Sequence, residues 1–228
     1  MTIFKYALIR GFKSPAALVF NCAFPVFLMI AMRGDGLGDQ GLFLVALALM
    51  FGGFFMARGI QNDRREGVLL RILTGPVTLR NYLFQNLLGA VVPMVGLSAA
   101  ICVLGIILHD WEFIFAIGIF LSYSLLAATS IGLSFVWSSL FKSKEAGTGA
   151  FSAVMTLVAS IGGFFIPLNL MPRVFYYIGT LFPAHWASRA IQIMLDYGEF
   201  TTMFWLSMLA MVFFMTAYIL FGAKRRLI

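Results

Sequence analysis

The stretch NDRREGVLLRILTGPVTL, residues 62–79, breaks the pattern of the chain around it. It opens with one amide and four charged residues. Val68, Leu69, Ile72 and Leu73 then fall on one helical face, flanked by Arg64, Arg65 and Arg71. Around this segment the chain reads as oil. Of 228 residues, 61% are hydrophobic and only 11% charged, far less charge than a soluble domain needs to cover its surface. Holding Arg64, Arg65 or Glu66 at mid-bilayer would cost roughly 2.5–3.5 kcal/mol each. The segment therefore belongs outside the bilayer, and the apolar stretches on both sides belong within it. Pro76 ends the short helix, because its missing N–H and its ring break the ladder.

Working outward, six apolar stretches are long enough to cross a membrane, at about 15–32, 41–57, 82–108, 113–141, 146–168 and 203–222. Backbone groups in lipid must be satisfied internally, so these runs are read as helices. They do not alternate as barrel strands do. The expected fold is an all-α membrane protein, with residues 1–228 forming one transmembrane domain of six spans. Residues 169–199 are apolar enough to suggest a seventh span. Pro172 and Pro183 interrupt them, and His185 and Arg189 would lie in lipid, so two short interfacial or re-entrant helices are expected instead. The first stretch is long for a signal peptide and lacks a small-residue cleavage pattern after it, so it reads as a retained span.

Charge sets the orientation. With the N-terminus cytoplasmic, the inner segments 1–14, 58–81, 142–145 and 223–228 carry 13 of the 16 Lys and Arg and three of the nine Asp and Glu. The inner net is then +10 and the outer −3. The positive-inside rule places both termini in the cytoplasm. The basic balance suits an anionic lipid surface and gives no reason to invoke nucleic acid.

Chemistry is sparse. Every Asp, Glu, Lys and Arg falls outside the six stretches, which argues against proton coupling through intramembrane carboxylates. Cys22 and Cys102 form no metal or disulfide pattern. No G-x-x-x-x-G-K-[ST] occurs, so if nucleotide drives this protein, another subunit must bind it. Ser134 with His185 is a candidate protease pair, placed on opposite sides of a long stretch. Ser122, Ser130, Ser134 and Ser138 recur at multiples of four along the fourth span, as Ser152, Thr156 and Ser160 do along the fifth. Such rows either bond back to carbonyls and pack against neighbouring helices, or line a polar path. Small residues cluster in the fifth span, Gly149 and Ala153 among them, and suit close helix approach or a subunit seam. Phe51, Phe54 and Phe55, late in the second span, either line an apolar cavity or face lipid.

The segment DRREGVLLRILTGPVTLRNYL (63–83) resembles the region after the second span of type-two ABC exporter permeases, through Arg65, Glu66, Gly67, Leu69 or Leu70, Leu73, Pro76, Val77, Thr78 and Arg80. A second stretch, GGFFIPLNLMPRVFYYIGTLFPAHWASRAIQ (162–192), is similar to the end of that family's fifth span and its outer helices. The order holds along the chain, including a basic amphipathic N-terminal helix, Thr2–Lys13. The resemblance implies six helices per subunit, a second permease copy or homologue, and cytosolic ABC ATPase subunits that hold ATP and Mg, with no cofactor on this chain. It makes 62–75 a cytoplasmic coupling helix, with Arg64, Arg65, Glu66, Leu69 and Leu73 at the ATPase. It implies a bacterial plasma membrane and outward movement of a drug, antibiotic, peptide or lipid. Phe51, Phe54, Phe55, Ser152, Thr156 and Ser160 are the candidate substrate path. The alternatives are a non-transporting scaffold or assembly subunit and an intramembrane enzyme.

Overall fold

The computed structural model describes residues 2–12, 15–33, 37–65, 67–74, 78–138, 140–141 and 144–224. Among these, the chain is all-helical. The elements are α1 (Thr2–Phe12), α2 (Pro15–Leu18), a π turn (Val19–Ala23), α3 (Phe24–Ala31), α4 (Gln40–Arg65), α5 (Val68–Leu73), α6 (Leu79–His109), α7 (Phe113–Ser138), α8 (Lys144–Ile161), a 3-10 turn (Leu168–Leu170), α9 (Arg173–Gly179), α10 (Pro183–Tyr197) and α11 (Thr202–Lys224).

Among the described residues, four segments are long and apolar enough to cross a membrane: Gln40–Ala57, Phe84–His109, Phe113–Trp137 and Thr202–Gly222. The other two expected spans take shorter forms. In the first, Pro25 has no N–H to give the carbonyl of Asn21, and the helix widens just before it. The Phe24 N–H instead reaches back five residues to Val19. The fifth was expected to run to 168 but ends as a helix at Ile161. Gly163 takes a φ of 98°, and a bend follows towards Pro167. Both remain apolar helices of intermediate length.

Helix α7 is the central post, packed against α4, α6, α10 and α11. Its hydroxyls mark the seam with α4. Tyr123 donates to the Leu42 carbonyl at 2.9 Å, Ser130 to that of Met50, and Ser134 to that of Phe54 at 3.4 Å. Both numbers in each pair rise together, so α4 and α7 run parallel. Gly53 lets them approach: a Cβ there would lie 2.9 Å from the Ala127 carbonyl oxygen. On the other side, Thr129 donates to the Met211 carbonyl at 3.3 Å, and Gly132 sits against Tyr218 of α11. In the serine row of the fourth span, Ser130 and Ser134 thus join two helices, while Ser122 donates to the Gly118 carbonyl of its own helix at 2.8 Å.

The region 169–199 forms a helical hairpin of α9 and α10, not a long span. Its turn faces α7 and α8, where Phe182 and Pro183 line one cleft with Leu126, Leu133 and Val158. From there α10 runs back towards the start of α7, with Met194 against Gly118. The buried face of α10, including Ala187, Ala190, Ile191 and Met194, follows the helical repeat. The α8–α9 bend is tied to the start of α4 by Gln40, whose amide donates to the Phe164 carbonyl at 2.6 Å. The starts of α4, α7 and α11 therefore share one end of the bundle with the C-terminus of α10. The polar segment lies at the other end.

Candidate functional site

The polar segment is built from two helix ends and a short helix between them. Helix α4 runs past its apolar part to Arg65, so Arg64 and Arg65 occupy its last two positions. Glu66 lies outside the described residues. Gly67 then turns the chain with a φ of 69°, a conformation that suits glycine, and α5 begins at Val68. Leu69 and Leu73 stand on α5, with Arg71 exposed between them. The return is capped by Thr78, whose hydroxyl accepts the Asn81 N–H at 3.3 Å at the start of α6.

A contact that pattern reading missed closes this loop at its base. The Tyr82 hydroxyl of α6 donates to Oδ2 of Asp63 of α4 at 2.5 Å. Tyr82 is 1% exposed and Asp63 9%. The Asn86 amide donates to the Tyr82 carbonyl at 3.0 Å. The two helix ends that carry α5 are thereby held together by a buried, charge-assisted hydrogen bond. The sequence shows the two partners, an acid in the same turn as the basic pair and a tyrosine four residues past the Thr78 cap, but not that they meet.

The candidate path residues divide into two groups. Phe51, Phe54 and Phe55 are buried among aromatic neighbours within the subunit. Phe54 stacks on Phe151 with ring centroids 3.5 Å apart, and Phe20 stacks on Phe51 and Phe55 at 5.3 and 5.4 Å. All three rings are turned into the subunit and away from lipid. Ser152, Thr156 and Ser160 lie on the opposite side of α8 from Phe151, Met155 and Val158. The Thr156 hydroxyl donates to the Ser152 carbonyl and the Ser160 hydroxyl to the Thr156 carbonyl, each at 2.8 Å. Thr156 is exposed, as are Gly149, Ala153 and Leu157 on the same side. Within one subunit the structure does not bring the two groups together.

Between α7, α8 and the hairpin turn lies an apolar cleft of about 170 Å³, lined in part by Met50, Leu126, Trp137, Met155, Phe182 and Tyr218. An apolar cavity of roughly this size takes one aromatic ring. Asn21 and His185 are buried polar groups without a hydrogen-bond partner. Asn21, in the π turn, is 1% exposed with neither amide atom hydrogen-bonded, and Gly52 leaves it room. His185 is fully buried with both ring nitrogens unbonded, edge-on to Tyr176 at 4.9 Å. Burial, with the nearby Arg189 charge adding to it, pushes its pKa down to about 4. Ser134 is committed to the Phe54 carbonyl and His185 has no hydrogen-bond partner, so the protease pairing is not formed. Among the described residues there is also no cluster of metal-ligating side chains.

A polar segment between the first two long helices, a central post and a hairpin before the last helix set the frame for a comparison with known families. The family model described as ABC-2 family transporter protein matches residues 38–224. The chain belongs to the ABC-2 transporter family. A search among curated proteins found no match. Membership makes the chain a transmembrane subunit of an ABC transporter and implies an ABC ATPase as its partner. The ABC-2 match begins at the loop before α4, so α1, α2 and α3 lie before the matched region. It covers α5, the Asp63–Tyr82 tie and the α9–α10 hairpin. With its long apolar helices, this ABC-2 family chain is a multi-pass membrane protein.

Proposed function

We propose that this chain is the permease of an ATP-driven exporter that moves an amphipathic or hydrophobic cargo, such as a drug, antibiotic, peptide or lipid, outward across a bacterial plasma membrane. One observation carries the reading: a chain of the ABC-2 family holds a short helix, α5, on a braced stem between its first two long helices. Helix α5 is the coupling helix. Leu69 and Leu73 supply apolar burial in a groove of the ATPase, and Arg64, Arg65 and Glu66 fix orientation there by polar contacts. ATP and Mg reside on that partner. Both termini face the cytoplasm, in line with the +10 inner charge.

Two permease copies, identical or homologous, complete the path. The support is the exposed face of α8, where Gly149 and Ala153 permit close approach and Ser152, Thr156 and Ser160 add a polar edge. Phe51, Phe54 and Phe55 form the aromatic wall behind it.

The test is co-purification of the ABC ATPase, identified by its P-loop sequence, with Glu66→Lys, Leu69→Asp and a control, Lys144→Glu. The first two variants should insert normally and lose ATPase by several-fold, with the control unaffected. Normal ATPase retention in both would sink the coupling assignment. The mass of the same complex reads the copy number, and a single permease copy would remove the second subunit.

A further inference from the structure

A second polar feature lies at the end of the bundle opposite α5, and the coupling proposal makes no use of it. An open pocket of about 410 Å³ lies between α10, the start of α11 and the 3-10 turn. Two charged side chains line it, Arg189 and Asp196. Arg189 is half-buried; its guanidinium donates to the Tyr176 hydroxyl at 3.1 Å and approaches the Met203 sulfur at 3.7 Å. Asp196 is exposed and accepts from the Gln192 amide at 2.8 Å. No carboxylate among the described residues is paired with Arg189. The pocket thus offers a cation and an anion held apart on one helix.

Their heights decide what fits. Arg189 and Asp196 are seven residues apart, close to two turns and about 10 Å along α10. Helix α10 rises from Pro183, beside the middle of α7, to Tyr197, near the α7 start. Arg189 is therefore the deeper group and Asp196 the shallower. A zwitterionic phospholipid carries its charges in that order. Its phosphate is joined to the glycerol, towards the chains, and its ammonium stands two carbons further out. The apolar route for the chains is also present. Met203 lines the pocket, and Leu206, Leu209 and Phe213 continue from it as exposed residues on α11. Tyr197, an exposed aromatic, lines the mouth as interfacial aromatics do.

We propose that this pocket holds the head group of a zwitterionic phospholipid, with Arg189 on the phosphate, Asp196 on the ammonium, and the acyl chains along α11. The site requires only that the chain spans a membrane, so it stands apart from the coupling role of α5.

The test uses the full chain purified in detergent. Bound lipid is counted by native mass spectrometry after exposure to phosphatidylethanolamine, phosphatidylglycerol or free glycerophosphoethanolamine. The wild type should retain phosphatidylethanolamine over phosphatidylglycerol by roughly fivefold, the scale of one exposed ion pair near 1 kcal/mol. Asp196→Asn should abolish that preference while both lipids still bind. Arg189→Gln should weaken both lipids together. Equal retention of the two lipids by the wild type, or a preference that survives Asp196→Asn, overturns the proposal. Displacement by free glycerophosphoethanolamine at the concentration of whole lipid would assign the pocket to a soluble zwitterion and overturn the lipid. Asp196 is exposed and its replacement isosteric, so that arm decides even if Arg189→Gln fails to fold.

Discussion

The Asp63–Tyr82 tie makes α5 part of the bundle, and Tyr82→Phe tests this directly. The substitution keeps the ring, which fills a site only 1% exposed, and removes the hydroxyl that donates to Asp63. A hydrogen bond to a charged partner is worth about 1.5–3 kcal/mol. Opening of the stem between α4 and α6 becomes easier by that amount. At 1.4 kcal/mol per factor of ten in an equilibrium constant, the open state gains about ten- to a hundredfold. Amide hydrogen exchange reads this population. Exchange at the end of α4, through α5 and into the first turn of α6 should quicken by one to two orders of magnitude in Tyr82→Phe. Amides in the middle of α7 should not change. Asp63→Asn keeps an acceptor without its charge and should fall between the two. On the proposed function, the partner ATPase would still bind the loosened α5, but its hydrolysis rate would respond less to the permease. Unchanged exchange in the stem of Tyr82→Phe would show that the tie does not hold α5, and the reasoning would fail.

The α4–α7 seam separates packing from hydrogen bonding. Gly53→Ala puts a methyl against the Ala127 carbonyl, an overpacking of about 1–3 kcal/mol, whereas Ser130→Ala removes one interhelical bond worth about 0.6 kcal/mol. In detergent the first should lower the thermal midpoint by several times as much as the second; the reverse order would make the hydroxyl row the stronger element. His185 predicts a pH effect of definite sign. Its folded pKa of about 4 lies below the ordinary value near 6.5, so the unfolded chain binds the proton first. Its contribution to stability is full above 6.5 and is lost as pH falls from there to about 4, on the order of 3 kcal/mol in all. The thermal midpoint should drop across that window in the wild type and less in His185→Gln; an equal slope in both would remove His185 as the cause.

Much of the fold was legible because the bilayer imposes one strong rule on sequence. Long apolar runs between charged ends gave α6, α7 and α11 at close to their observed limits, and the apolar part of α4, which runs on to Arg65. The exceptions arise where local backbone chemistry overrides composition. Pro25 turns the first apolar stretch into a helix with a π turn, and hydropathy does not register a missing N–H. Gly162, Gly163 and Pro167 end the fifth helix short of 168, although Phe164, Phe165 and Ile166 keep the composition apolar. Pro172 and Pro183 gave the correct sign in the hairpin, where each stands at a helix start and not inside one.

The candidate site was legible in a different way. Charge alone located the α5 segment, because four charged residues in a row cannot stay in lipid. What holds the segment was not readable, because Asp63 and Tyr82 are nineteen residues apart on two helices whose meeting is a property of the assembled bundle. The same limit applies to the hydroxyl rows. Ser130 and Ser152 look alike in sequence, each in a four-residue repeat on an apolar helix. Ser130 faces α4 and donates to a carbonyl across the seam, whereas the row from Ser152 to Ser160 turns back on its own helix at the protein surface. A hydroxyl that bonds within its own helix leaves that helix face free of any obligation to a neighbour. In this chain that free face is the small-residue side of α8. It can meet lipid, cargo or a second subunit without breaking a bond in the first, and on the proposed function that freedom is what a moving wall of the transport path requires.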